Sequence, residues 1–292
     1  MNVGRDYAGG FGTVSISDRA HYGHDDVPVI PYVSLLYVAA ILEGHGHRVG
    51  FLDGQAEGLG LDACRNRVAA FAPDAIVGVV NLPSMQGDLA LLGSLREAVP
   101  GCRTVAIGTV CRALYPDVLA DSAVDVAITG DPELVVPQVL RVLGDQDRLA
   151  SVPGIALRRG GEVVQSPAAP LLESLDALPM PAYHLAPMDR YWHHHFGRQT
   201  RCAHVVTSRG CPEKCGYYCP YPFGFGTHIR LRSVEAVVEE LTVLRRRYDV
   251  GGVVFRDMSL TASRNRAVEL FEEMVRRDLR LRNRCVIGRD HD

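Results

Sequence analysis

The sequence predicts an α/β protein, with an N-terminal doubly wound parallel sheet followed by a second, shorter run of strand and helix units. Three observations lead there. Apolar segments of strand length alternate with helix-length segments of 3.6-residue period through the first 150 residues. The strand segments are apolar on both faces, as strands covered by helices are. The same alternation restarts after residue 200.

Each element has its own signal. An apolar helix over 31–43 is stopped at Gly44, and a short strand over 48–53 sets Val49 and Phe51 on one face. A helix near 61–72, a buried strand at 74–81 and a helix at 86–99 follow. Strands at 103–108 and 124–129 flank a short helix near 115–121, and Asp131 and Pro132 suit the cap and first residue of a helix running to Leu143. Residues 154–165 read as a hairpin turning at Gly160 and Gly161, and a Pro- and Leu-rich connector runs on through Met188. A helix at 233–248, with Val237, Val238, Leu241 and Leu244 on one face, precedes a strand at 252–255, a helix at 264–277 and a strand at 285–288. The expected organisation is a sheet domain over 1–150, a hairpin and linker over 151–200, and a second β/α unit over 201–292.

Composition narrows the partners. With 292 residues, 47% of them hydrophobic, the chain has room for two domains with ordinary cores. A net charge of −3, with both signs mixed along the chain, leaves no footprint for nucleic acid or an anionic membrane, so a small molecule is the expected partner. The first ten residues lack the apolar core of a signal peptide and no apolar run reaches the length of a membrane span, which points to the cytoplasm.

The chemistry is concentrated in residues 207–226. Cys211, Cys215 and Cys219 lie on one short loop, and three thiolates can hold three irons of a 4Fe-4S cluster and leave the fourth iron open. Zinc would need a further ligand, which Cys202, His204 or Cys285 could supply, although the spacings are not those of paired CxxC knuckles. A loop that binds nothing is the third reading. Cys64, Cys102 and Cys111 fall on apolar elements, which suits buried thiols better than disulfides. In a parallel sheet, ligands bind beyond the carboxyl ends of the strands. Those ends are Asn81-Leu-Pro-Ser84, Gly108-Thr-Val110 and Thr129-Gly-Asp-Pro-Glu133, small and polar enough for a ligand to approach the backbone, as many strand-to-helix turns are. The run His193, His194, His195 reads either as metal ligands or as an exposed or substrate-lining loop, since adjacent histidines diverge on any regular element.

The 207–226 segment resembles the cluster loop of the radical S-adenosylmethionine enzymes. Their usual spacing is CxxxCxxC, whereas this chain reads CxxxCxxxC. A sheet domain directly before such a loop, with segments 31–49 and Gly130-Asp-Pro-Glu133, is similar to the cobalamin-binding subfamily. The DxHxxG sequence that offers a histidine to cobalt is absent, because Asp18-Arg-Ala-His-Tyr-Gly23 has a different spacing. The resemblance implies a Rossmann-like cobalamin-binding sheet followed by roughly the first half of a radical S-adenosylmethionine barrel. It implies a 4Fe-4S cluster on Cys211, Cys215 and Cys219, S-adenosylmethionine and cobalamin as cofactors, and an electron donor. By the same resemblance Asp257 would hold the methionine ammonium, Arg289 the methionine carboxylate, and Tyr218 would lie near the adenine. Asn81, Ser84, Gly108, Thr109, Gly130 and Glu133 would hold the corrinoid tail. The implied activity is methyl transfer to an unactivated carbon of a small molecule. Oxidative cyclisation or rearrangement is the enzymatic alternative, and a non-catalytic corrinoid-binding module with a remnant loop is the alternative of another class. A half barrel also implies a partner chain or a further C-terminal segment that completes it.

Overall fold

The computed structural model describes residues 29–211 and 226–285. Cys215, Cys219, Tyr218 and Arg289 lie outside the described residues.

The first unit starts with α1 (Val33–Gly44), a helix apolar nearly all round because it is enclosed by both halves of the molecule. Next come α2 (Gly54–Glu57) and α3 (Leu61–Phe71). The sheet is built from β1 (Ala75–Val79), β2 (Arg103–Ile107) and β3 (Val126–Ile128), all parallel, with α4 (Met85–Glu97), α5 (Val110–Ala113) and α6 (Tyr115–Ala120) in the crossovers. Beyond β3 come α7 (Pro132–Val142), α8 (Gln146–Ala150), β4 (Ile155–Arg159) and β5 (Glu162–Gln165).

Three expectations are corrected. The sheet is mixed: β4 runs antiparallel to β3, and β5 antiparallel to β4, so the 154–165 hairpin extends the first sheet. Gly160 and Gly161 make its two-residue turn with φ of 60° and 89°, the left-handed pair that matches strand twist. The strand order is β1-β2-β3-β4-β5, with no reversal among the described strands. Segment 48–53 joins no ladder. Its Val49, Phe51 and Leu52 pack on the core, but Asp53 at its end caps α2 by accepting from the Ala56 N–H and is held there by the Tyr191 hydroxyl at 3.0 Å. The last strand among the described residues is β10 (Arg282–Arg284), and the strand expected at 285–288 lies outside them except for Cys285.

The second unit is a parallel sheet in the order β10-β9-β6, with β6 (Cys202–Val205) and β9 (Gly252–Phe255) paired along their length. Two helices cover one face, α9 (Val234–Tyr248) and α10 (Arg264–Arg276). Period two then sorts the strand residues. Ala203, Val205, Val253 and Phe255 join the helices in the core, while Cys202 and Val254 face the other way, against Phe196 and Ile30. Ser233 starts α9 by accepting from the Ala236 N–H, as a serine cap should.

Candidate functional site

After β6 the chain forms a two-residue strand, β7 (Ser208–Arg209), which pairs antiparallel with β8 (Arg230–Leu231). This ladder is the neck of the three-cysteine loop. The Arg232 N–H donates to the Thr207 carbonyl at 2.9 Å, and the Cys211 N–H donates to the Gly226 carbonyl at 3.0 Å. Between them Gly210 has φ +96°, and a side chain there would run into the His228 carbonyl. Cys211 is thus presented, buried, beyond the carboxyl end of β6.

Asp257 braces the root of this neck. Its carboxylate accepts from the Thr207 N–H at 3.1 Å, the Thr207 hydroxyl at 2.9 Å and the Ser208 hydroxyl at 2.5 Å. Burial raises its pKa, and the Ser208 and Thr207 hydrogen bonds pull the other way. Arg266, on α10, adds a guanidinium that donates to the Thr207 hydroxyl, the Thr207 carbonyl and the Arg232 carbonyl. The Asp257 carboxylate, expected to hold an ammonium, is engaged in shaping the neck.

A charged clasp joins the neck to the first sheet. Arg209 and Arg230 sit opposite each other in the ladder, both buried. Two buried guanidiniums side by side need counter-charge. It comes from the start of α7: Glu133 accepts from Arg209 at 2.5 and 3.1 Å, and Asp131 accepts from Arg230 at 2.8 Å. Asp131 also accepts from Arg112, after β2, at 2.7 Å and from the Leu172 N–H at 2.9 Å. Burial alone would raise the Asp131 pKa; Arg230, the Leu172 amide, Arg209 and Arg112 outweigh it and hold it at about 2. Asp131 therefore does not cap α7 with its side chain, and Glu133 faces an arginine. A second link crosses the same junction, where Glu240 of α9 binds Arg232 and accepts from Tyr183 at 2.5 Å and from Tyr37 of α1 at 3.4 Å.

The other expected contacts lie at the carboxyl ends of β1 to β3. Asp88 fixes the turn after β1, accepting from the Asn81 N–H at 2.9 Å and the Ser84 hydroxyl at 2.8 Å, and burial pushes its carboxyl up to about 6. Leu82 on that turn is 56% exposed, an apolar side chain standing open beyond the strand end. Gly108, before Thr109, has φ +131°, and a Cβ would strike the Val80 carbonyl, so glycine is required by close packing on β1. A cavity of 480 Å³ lined by Arg96, Arg103 and Asp125 lies instead by the first residue of β2, away from the carboxyl ends.

Sequence reasoning missed Arg209, Arg230, Arg112, Glu240 and Arg266. Most of their partners are far away in the chain, 76 residues for Arg209 and 99 for Arg230, and no local spacing signals such pairs; the two arginines flanking a cysteine loop were the only available hint.

No family model matches the chain. An uncharacterized methyltransferase of Pyrococcus horikoshii is 29% identical over 242 residues, covering 82% of this chain and 51% of that protein. An anaerobic magnesium-protoporphyrin IX monomethyl ester cyclase of Rubrivivax gelatinosus is 28% identical over 256 residues, covering 85% and 45%. The solved structure of the radical S-adenosylmethionine methyltransferase TsrM from Kitasatospora setae, with cobalamin and a [4Fe-4S] cluster bound, superposes with a TM-score of 0.69 at 17% identity, over 87% of this chain and 51% of that one. The chain is similar to the cobalamin-dependent radical S-adenosylmethionine enzymes. It spans about half the length of the curated relatives it matches. The cobalamin-dependent radical S-adenosylmethionine fold accounts for the order of parts seen here: an α/β unit whose sheet begins with three parallel strands, then a cysteine loop rooted on a second, parallel sheet.

Proposed function

We propose that the chain is the cofactor-holding part of a cobalamin-dependent radical S-adenosylmethionine enzyme that transfers a methyl group to an unactivated carbon of a small molecule. The observation that carries this reading is the clasp: Asp131 and Glu133, at the carboxyl end of the first sheet, grip both strands of the neck from which Cys211 projects. Two ligand-binding ends are thereby fixed against each other.

The residues suit the groups. Cys211, with Cys215 and Cys219, makes a three-thiolate set, which is the donor set of a cluster with one open iron. The exposed Leu82 and Thr109 and the turn 81–84 offer an open end for the corrinoid, while Gly108 and Gly130 serve internal packing, against the Val80 carbonyl and against Val135 and Ala169. When bound, the cluster supplies an electron to S-adenosylmethionine and cobalamin carries the methyl group. The chain's own part is positional. Asp257, Thr207 and Arg266 hold the loop root, Asp88 holds the turn under the corrinoid, and the clasp sets the separation of the two. Tyr218 and Arg289 stay assigned to S-adenosylmethionine by the family resemblance. In this reading the first sheet, with the hairpin that ends at Gln165, is the corrinoid domain, and the second is the start of a barrel that a further segment or partner chain completes. A separate electron donor feeds the cluster, and the cytoplasm is the compartment that suits it.

The cyclase among the relatives favours a second reading, oxidative cyclisation with the same parts. Anaerobic turnover of the full-length protein with candidate substrates separates the two. Methyl transfer gives a product heavier by one methylene together with 5'-deoxyadenosine. A product that has lost hydrogen without gaining carbon supports cyclisation, and absence of 5'-deoxyadenosine under any condition overturns both.

A further inference from the structure

The face of the second sheet turned away from α9 and α10 collects arginine and histidine side chains. Register sets His204, Val254 and Arg284 in one row across β6, β9 and β10, and residues in one row of a parallel ladder share a face. Val254 packs with Cys202 and Phe196, so this is the face covered by the turn that carries His193 to Phe196. Arg256, two residues past Val254, continues the same side.

The contact between His193 and Arg284 is chemically incomplete. The His195 N–H donates to His193 Nδ1 at 3.2 Å, which places the proton of the neutral ring on Nε2. His193 Nε2 in turn lies 3.4 Å from Arg284 Nη1, and a guanidinium can only donate. Two N–H donors therefore face each other, an arrangement completed by an acceptor that both can reach. Nearby, His204 is buried and its Nε2 has no hydrogen-bond partner.

The charge environment agrees. After burial, the influences that depress His193 come from His194, Arg284, His195 and Arg256, and those on His204 from Arg256 and His193, with no carboxylate in either set. The ring nitrogens of His193, His194 and His195 do lie within 4.8 Å of one another, as metal ligands can. A metal would need a bare lone pair, however, and on His193 one nitrogen is already accepting and the other points at a guanidinium.

We propose that His193, His204, Arg256 and Arg284 form a binding site for the carboxylate or phosphate group of a small anion. That this anion is part of the organic substrate rests on the function proposed above; the site itself does not. Bidentate guanidinium contacts and imidazole donors suit both oxyanions.

The test uses the full chain without cofactors, so its outcome is independent of cluster or corrinoid assembly. Inorganic phosphate and succinate are titrated separately at fixed ionic strength, read by calorimetry and by imidazole NMR of His193 and His204. We expect saturable one-to-one binding that shifts both rings. R284Q and R256Q should each weaken it about tenfold, with the backbone spectrum retained. R198Q, whose guanidinium lies over Trp192 on the same turn, should leave it unchanged. Tighter phosphate assigns a phosphate- or phosphonate-bearing ligand, and tighter succinate a carboxylate; either ranking supports the site. Failure of both anions to saturate, binding indifferent to R256Q and R284Q, or stoichiometric zinc held by the three histidines overturns it.

Discussion

Glu133 shows how far a single buried charge commits its surroundings. Its side chain is enclosed against Arg209, so truncation leaves a guanidinium buried without counter-charge. Glu133→Ala should cost about 3–5 kcal/mol in denaturant unfolding, against little for a surface carboxylate. At Gly108 the limit is steric: Gly108→Ala forces a Cβ toward the Val80 carbonyl at a φ of +131°, and should lower the melting temperature even though only one methyl is added. Asp88 gives a pH signature. Its folded pKa of about 6 is above the ordinary value of 3.8, so the folded state binds the proton more tightly and stability falls as pH rises through that window. Asp88→Asn, which keeps an acceptor for Asn81 and Ser84, should therefore be more stable than the parent above pH 6, by roughly 1–3 kcal/mol, and indistinguishable near pH 4. His193 acts in the opposite sense. Held down to about 3 by burial and neighbouring cations, it is neutral when folded, so its contribution is complete above about 6.5 and is lost as pH falls toward 3. At this scale the sequence was least informative. It marked Glu133 and Asp257 as site residues but could not show that each carboxylate is taken by a neighbour distant in the chain.

Among elements, the neck is the clearest case of structure arising from long-range pairing. Two strands of two residues each would not hold by themselves; Asp257, Arg266 and the clasp hold them. Asp257→Ala should raise amide exchange of Cys211 and Arg232, whose N–H groups close the neck, while leaving the β9 interior protected. An equal rise throughout the chain would instead indicate general destabilisation. Helices were legible because periodicity and caps are local: α9, with Ser233 before it, begins and ends within a residue of expectation. The parallel strands β1, β2, β3 and β9 were legible as apolar runs, and the β4–β5 hairpin from its glycine pair, whereas the polar β10, Arg282-Asn-Arg284, was not. What sequence could not give was pairing. The hairpin's attachment to β3, and the failure of 48–53 to join a ladder, depend on neighbours that no local pattern specifies.

At the level of the whole molecule, the two sheets are joined by buried charge as much as by apolar packing. The Asp131, Glu133, Arg209 and Arg230 group and the Tyr37, Tyr183, Arg232 and Glu240 group both cross the junction. Such networks are costly to desolvate and add little net stability, but they penalise every arrangement in which a charge is left alone. They favour one relative placement of the sheet ends and the neck at Cys211, as the proposed reaction needs. The order of parts, sheet then cysteine loop then β/α units, was the feature of function most legible in the sequence, because the cysteine spacing and the strand alternation are both written locally. The central claim is that the loop beginning at Cys211 holds an iron–sulfur cluster despite its extra residue. Anaerobic reconstitution with iron and sulfide, followed by metal analysis and electron paramagnetic resonance of the reduced protein, tests it most directly. The account predicts about four irons per chain, a signal that changes when S-adenosylmethionine is added, and loss of both in Cys211→Ala; one zinc per chain, or no iron above that of the Cys211→Ala variant, would contradict it.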